Sequence, residues 1–123
     1  MSAPPPSLRD GPPPRAGEVR RGEVWLAALD PTVGREIQKT RPCLIVSPDE
    51  MNARLSTATV LPMTTGSRAA PWRISIRFQS RDGLALGDQM RTLDQARLIK
   101  RMGRTDGPTV ATTLAMLREM FGD

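Results

Sequence analysis

Hydrophobic and polar positions alternate cleanly over Arg73–Phe78, RISIRF. Ile74, Ile76 and Phe78 fall on one face, and Arg73, Ser75 and Arg77 on the other. Successive strand side chains point to opposite faces, so this pattern predicts a half-exposed antiparallel strand. A different pattern marks Cys43–Ser47, CLIVS, a short aliphatic run that predicts a strand buried on both faces. Glu23–Leu29 and Thr59–Thr64 read as two more strands, and the internal Pro62 of the latter calls for an edge or a bulge. Ser47-Pro48-Asp49 opens a turn into a short helix, Asp49–Arg54. Arg81-Asp82-Gly83 reads as a turn, with short strands following near Leu84–Leu86 and Met90–Leu93.

The period then changes. Val110, Leu114, Leu117 and Phe121 recur at helical spacing, with Met116 and Met120 widening the stripe. Asp106 can cap this helix and Pro108 suits its first turn. The stripe reads as core packing. Together the elements predict a mainly β, α+β domain: five to seven short strands in a small barrel-like fold, closed by a C-terminal helix.

Composition trims this domain to residues 18–123. Six of the twelve prolines fall in Met1–Gly17, whose only bulky apolar side chains are Met1 and Leu8. Such a segment buries too little surface to offset its ordering entropy, so residues 1–17 are expected to be a disordered proline-rich tail. No apolar stretch approaches the roughly 20 residues that span a bilayer, so no membrane role is expected. The single cysteine, Cys43, excludes an internal disulfide and agrees with a reducing cytoplasm.

Charge and residue types narrow the chemistry. The net charge is +5, and the excess is local. Arg91, Arg97, Lys100, Arg101 and Arg104 face only Asp94 in residues 91–104, and Arg35, Lys39 and Arg41 face only Glu36 in residues 31–41. Such clusters favour a polyanion, most simply nucleic acid. The chain has no histidine. That removes imidazole acid–base catalysis, histidine-activated nucleophiles and most zinc sites. Asp82, Asp88 and Asp94 lie on separate turns or strands, so no metal and no cofactor are expected.

Three features remain. Arg41 precedes Pro42, which biases it towards an extended backbone at the mouth of a strand. A guanidinium held there suits a phosphate oxyanion, although a solvated strand start gives the same pattern. Thr64 and Thr65 end a strand beside a glycine, where a hydroxyl can bind a phosphate oxygen or cap the backbone. Asp88 and Gln89 can hold a base edge, orient Arg41 or fasten a turn, and Arg91 extends the positive surface. Trp25 and Phe78 sit in strands, which leaves Trp72 as the candidate stacking platform.

These residues, with the segments RRGEVWLAALDPTVGREIQKTRPCLIVSPDEMN, VLPMTTGS and GLALGDQMRTLDQARL, resemble the MazF/PemK family of toxin endoribonucleases over about Val19–Phe121. The resemblance implies an SH3-like barrel, a homodimer, a cognate acidic antitoxin and metal-independent cleavage of single-stranded RNA. The products would be a 2′,3′-cyclic phosphate and a 5′-hydroxyl. It assigns the catalytic roles to Arg41 and Thr64. Arg35, Glu36, Gln38, Lys39, Thr65, Asp88, Gln89 and Arg91 would bind substrate. The chain departs from the family's first-loop pattern by losing a Gln and a Gly. It also carries Arg35 and Leu86 where one branch has a catalytic His and Arg, so the Arg/Thr form of the site is the one expected. Two alternatives keep the fold: a non-catalytic RNA-binding module, and a gyrase-directed toxin, against which the ending Phe121-Gly122-Asp123 argues.

Overall fold

The computed structural model describes residues 12–29, 40–66 and 68–123. Its strands are β1 (Glu23–Ala28), β2 (Thr40–Ile45), β3 (Thr57–Thr64), β4 (Arg73–Phe78), β5 (Arg81–Leu86), β6 (Arg91–Asp94) and β7 (Leu98–Arg104). Helices α1 (Asp49–Arg54) and α2 (Gly107–Phe121) complete it. All pairings are antiparallel, in the order β4-β5-β3-β2-β1-β7, with β6 also paired to β3.

The sheet curls until its two ends approach one another. Gln79, just past β4, donates from Nε2 to the carbonyl of Met102 on β7, at 3.1 Å. The ring of Phe78 lies so close to Gly103 that a Cβ there would meet it at 3.1 Å. Gly103 also has φ +155°, so glycine is required twice over. The result is a half-closed SH3-like barrel with apolar side chains on both sheet faces.

One face packs Trp25, Ala27, Cys43, Ile45, Val60, Leu93 and Leu98 together. The other packs Val24, Leu44, Leu61, Met63, Ile76 and Ala85 beneath Met116 of α2. Cys43–Val46 alternates between the two clusters, and all of Cys43–Ser47 is buried. The doubly buried strand is thus borne out, although β2 starts earlier, at Thr40. Asp106 caps α2 as expected, its carboxylate accepting from the Thr109 N–H at 2.7 Å. That hydrogen bond holds the Asp106 carboxyl below its usual range.

Three expectations need correction. Pro62 lies in a strand paired on both sides, not at an edge. It is tolerated because β6 pairs with residues 57–60 of β3 and β5 with residues 63–64, so Pro62 falls in the gap between the two partners. The hairpin turn is Gln79-Ser80, not Arg81-Asp82-Gly83, which forms the start of β5. Both turn residues have positive φ, 52° and 63°, the two-residue type I′ geometry that follows strand twist. Finally, Phe121 is 69% exposed. The buried line on α2 runs through Thr113 and Met116, flanked by Leu117 and Met120.

Candidate functional site

The β2–β3 register brings the two candidate catalytic residues together. Cys43 pairs with Pro62, Leu44 with Leu61 and Ile45 with Val60. Carried two residues further, the same register sets Arg41 across from Thr64. Both residues line one cleft of about 270 Å³. Its floor is apolar, built from Pro42, Met63, Ile76, Phe78 and Met102, and its rim carries Thr65, Gln79, Arg81 and Asp82.

Strand pairing holds the backbone of Arg41 rigidly. It sits opposite Ala27 of β1, and its carbonyl accepts from Cys43 Sγ at 3.6 Å. Its guanidinium makes no ion pair with the described residues. The thiol of Cys43 reports on the same place. Burial pushes it up to about 12, while the nearby positive charges of Arg91 and Arg41 pull it the other way. Arg91 lies opposite Val60, on the sheet face that carries Cys43 and Arg41. Two guanidinium groups therefore sit near one inert, buried sulfur.

Thr64 combines both roles its position allows. Its Oγ1 accepts from the Gly66 N–H at 3.2 Å, which caps the turn and aims the hydroxyl proton elsewhere. A capped hydroxyl of this kind can donate to a phosphate oxygen. Thr65 lines the cleft beside it.

Asp88 and Gln89 stand apart from this pair. They lie in a single 3-10 turn, Gly87–Gln89. The Asp88 carboxylate accepts from Nε and Nη2 of Arg73, at 3.1 and 3.0 Å, and that hydrogen bonding lowers its pKa. It orients Arg73, not Arg41. Gly87 donates to the Trp72 carbonyl at 2.9 Å, and a Cβ at 87 would stand 2.5 Å from that oxygen. Trp72 is 44% exposed beside this turn and does not line the cleft. The aromatic residue that does so is Phe78, a strand residue that also packs against the core. Its place as the last residue before a turn is the signal that could have found it. Arg35, Glu36, Gln38 and Lys39 lie outside the described residues.

The wider basic segment divides. Arg101 is bound to the buried carboxylate of Glu23 at 3.2 Å, and Arg97 donates to the Ala28 carbonyl at 3.4 Å. Lys100 and Arg104 are exposed. Among the described residues, no three His, Cys, Asp or Glu side chains are grouped to hold a metal ion, and no helix is long and apolar enough to cross a membrane.

The profile of the family described as the PemK-like, MazF-like toxin of type II toxin–antitoxin systems matches residues 20–121. The chain belongs to that family. It is 41% identical over 96 residues to endoribonuclease PemK of Escherichia coli, covering 73% of this chain and 72% of that one. It is 30% identical over 103 residues to endoribonuclease MazF9 of Mycobacterium tuberculosis, covering 76% and 87%. Among solved structures, MazF of Deinococcus radiodurans superposes with a TM-score of 0.68 at 24% identity, over 92% of this chain and all of that one. A mycobacterial endoribonuclease in complex with its cognate antitoxin gives 0.69 at 22%, over 82% and 92%. At those identities the structures speak for the fold of a PemK/MazF toxin. The sequence relatives carry the family.

Proposed function

We propose that this protein is the toxin of a toxin–antitoxin pair, a sequence-specific endoribonuclease that cuts single-stranded RNA without a metal. The observation that carries the reading is Arg41, without an ion pair among the described residues, lining one cleft with Thr64. The RNA supplies its own nucleophile. Its 2′-hydroxyl loses a proton and attacks the adjacent phosphorus, and the bond from phosphorus to the 5′-oxygen breaks. The leaving oxygen takes up a proton, which gives a 2′,3′-cyclic phosphate and a 5′-hydroxyl. The protein's part is to stabilise charge on the pentavalent phosphorus, and preorganised donors in a partly water-excluded site do that well. Arg41 clamps the non-bridging oxygens with parallel N–H groups, and Thr64 donates one more hydrogen bond. Thr65, Gln89 and Arg91 extend the contact to flanking nucleotides, as do Arg35, Glu36, Gln38 and Lys39 of the first loop. Asp88 contributes by fixing the turn that carries Gln89.

The protein works in the cytoplasm as a homodimer, and an acidic segment of its antitoxin silences it by covering residues 31–41 and 91–104. The reading is tested by incubating the protein with a long single-stranded RNA in excess EDTA, beside an Arg41→Ala control. Cutting at few sites, with cyclic phosphate ends and lost in the variant, is the expected result. RNA that is bound in a salt-dependent way yet left whole would replace the nuclease by a binding module.

A further inference from the structure

The cleft is larger than a phosphate clamp requires, and its apolar floor has no use in holding an anion. We propose that this floor is a base-binding subsite. It takes one nucleobase beside the cleaved bond and favours the keto bases, uracil and guanine, over adenine and cytosine. The inference rests on the ribonuclease reading.

Four observations support it. First, Phe78 offers an aromatic ring to the cleft, and its position is fixed from behind by the side-chain-free Gly103. A flat ring held in place is what an unstacked base lies against. Second, the subsite is continuous with the phosphate site, because Arg41 and Thr64 line the same cleft as Pro42 and Met63 of its floor. A base seated there belongs to a nucleotide next to the scissile phosphate.

Third, the rim carries one guanidinium, that of Arg81, among Thr65, Gln79 and Asp82. Arg81 lines the cleft, and its guanidinium makes no hydrogen bond or ion pair with the described residues. Asp82, the nearest carboxylate in the chain, is bound to Arg77 at 3.0 Å. A guanidinium has only donors. It therefore matches the O6 and N7 of guanine or a carbonyl of uracil, and it opposes the amino groups of adenine and cytosine. Fourth, the hairpin that carries Arg81 is held in a costly shape. Gln79 and Ser80 are both left-handed without being glycine, which costs roughly 1–2 kcal/mol per residue. Strain of this kind collects at binding sites. Gln79 ties the hairpin tip to β7 through Met102, so that Arg81 is presented from a fixed turn.

The test maps every cut in a long single-stranded RNA of mixed sequence, by sequencing the new 5′ ends, for the wild type, Arg81→Ala, Arg81→Glu and Phe78→Leu. Arg81 is exposed, so its variants should fold. The wild type is expected to require uracil or guanine at one position flanking the cut. Arg81→Ala should relax that one position by on the order of tenfold, and Arg81→Glu, an acceptor, should move the preference towards cytosine or adenine. Phe78→Leu should weaken cleavage without changing which base is chosen. An unchanged cut profile in both Arg81 variants, with the wild type active, overturns the subsite and leaves the nuclease standing. Intact RNA with the wild type overturns both.

Discussion

The curled sheet uses arginine in opposite ways at its β1–β7 end and at the end where Arg41, Thr64 and the β4–β5 hairpin line the cleft. At one end, Glu23 is a carboxylate only 3% exposed whose every need is met. Its Oε1 accepts from the Arg20 N–H at 2.9 Å and from Trp25 Nε1 at 3.0 Å, and its Oε2 holds Arg101 at 3.2 Å. Positive φ near Glu23 falls on glycine, at Gly22. At the other end, Arg41 and Arg81 share a cleft with no carboxylate of the described residues bound to either, beside two non-glycine residues at positive φ. One end has spent its charge on the fold. The other leaves charge unsatisfied and stores strain. Function is expected at the second, because unmatched donors next to an apolar floor lower the free energy of the molecule only when something binds.

The sharpest way to break this comparison is to remove one arginine from each end. Arg41→Ala should lower kcat for RNA cleavage on the order of 10²–10³-fold, the cost of losing one preorganised donor to a charged transition state. The melting temperature should barely move. Arg101→Ala should do the reverse, leaving the cleavage rate within a few-fold and lowering the melting temperature. Equal loss of activity in both variants would mean that the basic surface acts as a whole and that the cleft has no special standing. Glu23→Ala is the largest expected effect on stability. It strands the buried Trp25 N–H and an Arg20 amide, and unmatched buried donors cost about 1–3 kcal/mol. A denaturant titration should show that loss, and cleavage by the remaining folded protein should be normal.

The contrast also explains what could be read from residues alone. Local rules found the elements whose signals are local: the alternation of β4, the doubly buried β2, and the Asp106 cap of α2. Arg41 and Thr64 were legible because a proline and a glycine-marked turn frame them. The rest depended on distant partners. β7 keeps only Leu98 well buried, so it shows no alternation and reads as a basic segment. It becomes a strand by pairing with β1. Pro62 is acceptable inside the sheet only because β5 and β6 share its strand's other edge. The turn at Gln79-Ser80 carries neither Gly nor Asn, so the glycine at 83 drew the expected turn downstream. Phe78 joins the cleft only through the curl that brings it against Gly103. Phe121, the last residue of α2, departs from the predicted stripe and is exposed.

Cys43 offers a smaller, pH-dependent probe of the same boundary. Burial raises its pKa from 9.0 to about 12 in the folded chain. Below pH 9 the thiol is protonated in both states and contributes no pH dependence. Between 9 and about 12 only the unfolded state ionises, so stability falls as pH rises, by up to about 1.4 kcal/mol per pH unit for one proton. Cys43→Ala should flatten that slope between pH 9 and 10.5, as read from urea midpoints. The thiol should also resist alkylation at pH 8 until the protein unfolds. Rapid labelling of the native protein would show that the space behind Arg41 is open to solvent, and that the cleft is less well walled than its lining residues indicate.

The smallest effect separates strain from use within the hairpin itself. Ser80→Gly removes the left-handed penalty at a residue whose side chain makes no bond with the described residues, and should stabilise the fold by about 1 kcal/mol. Cleavage rate and site choice should not change. Gln79→Gly relieves the same backbone penalty but deletes the link to the Met102 carbonyl. Its gain in stability should be smaller, and its cut profile should loosen at the position read by Arg81. If the two variants behave alike, the strain at Gln79 is incidental to the cleft. If only Gln79→Gly disturbs specificity, the left-handed glutamine is retained for the turn it anchors, and the difference between the two sheet ends extends from charge to backbone conformation.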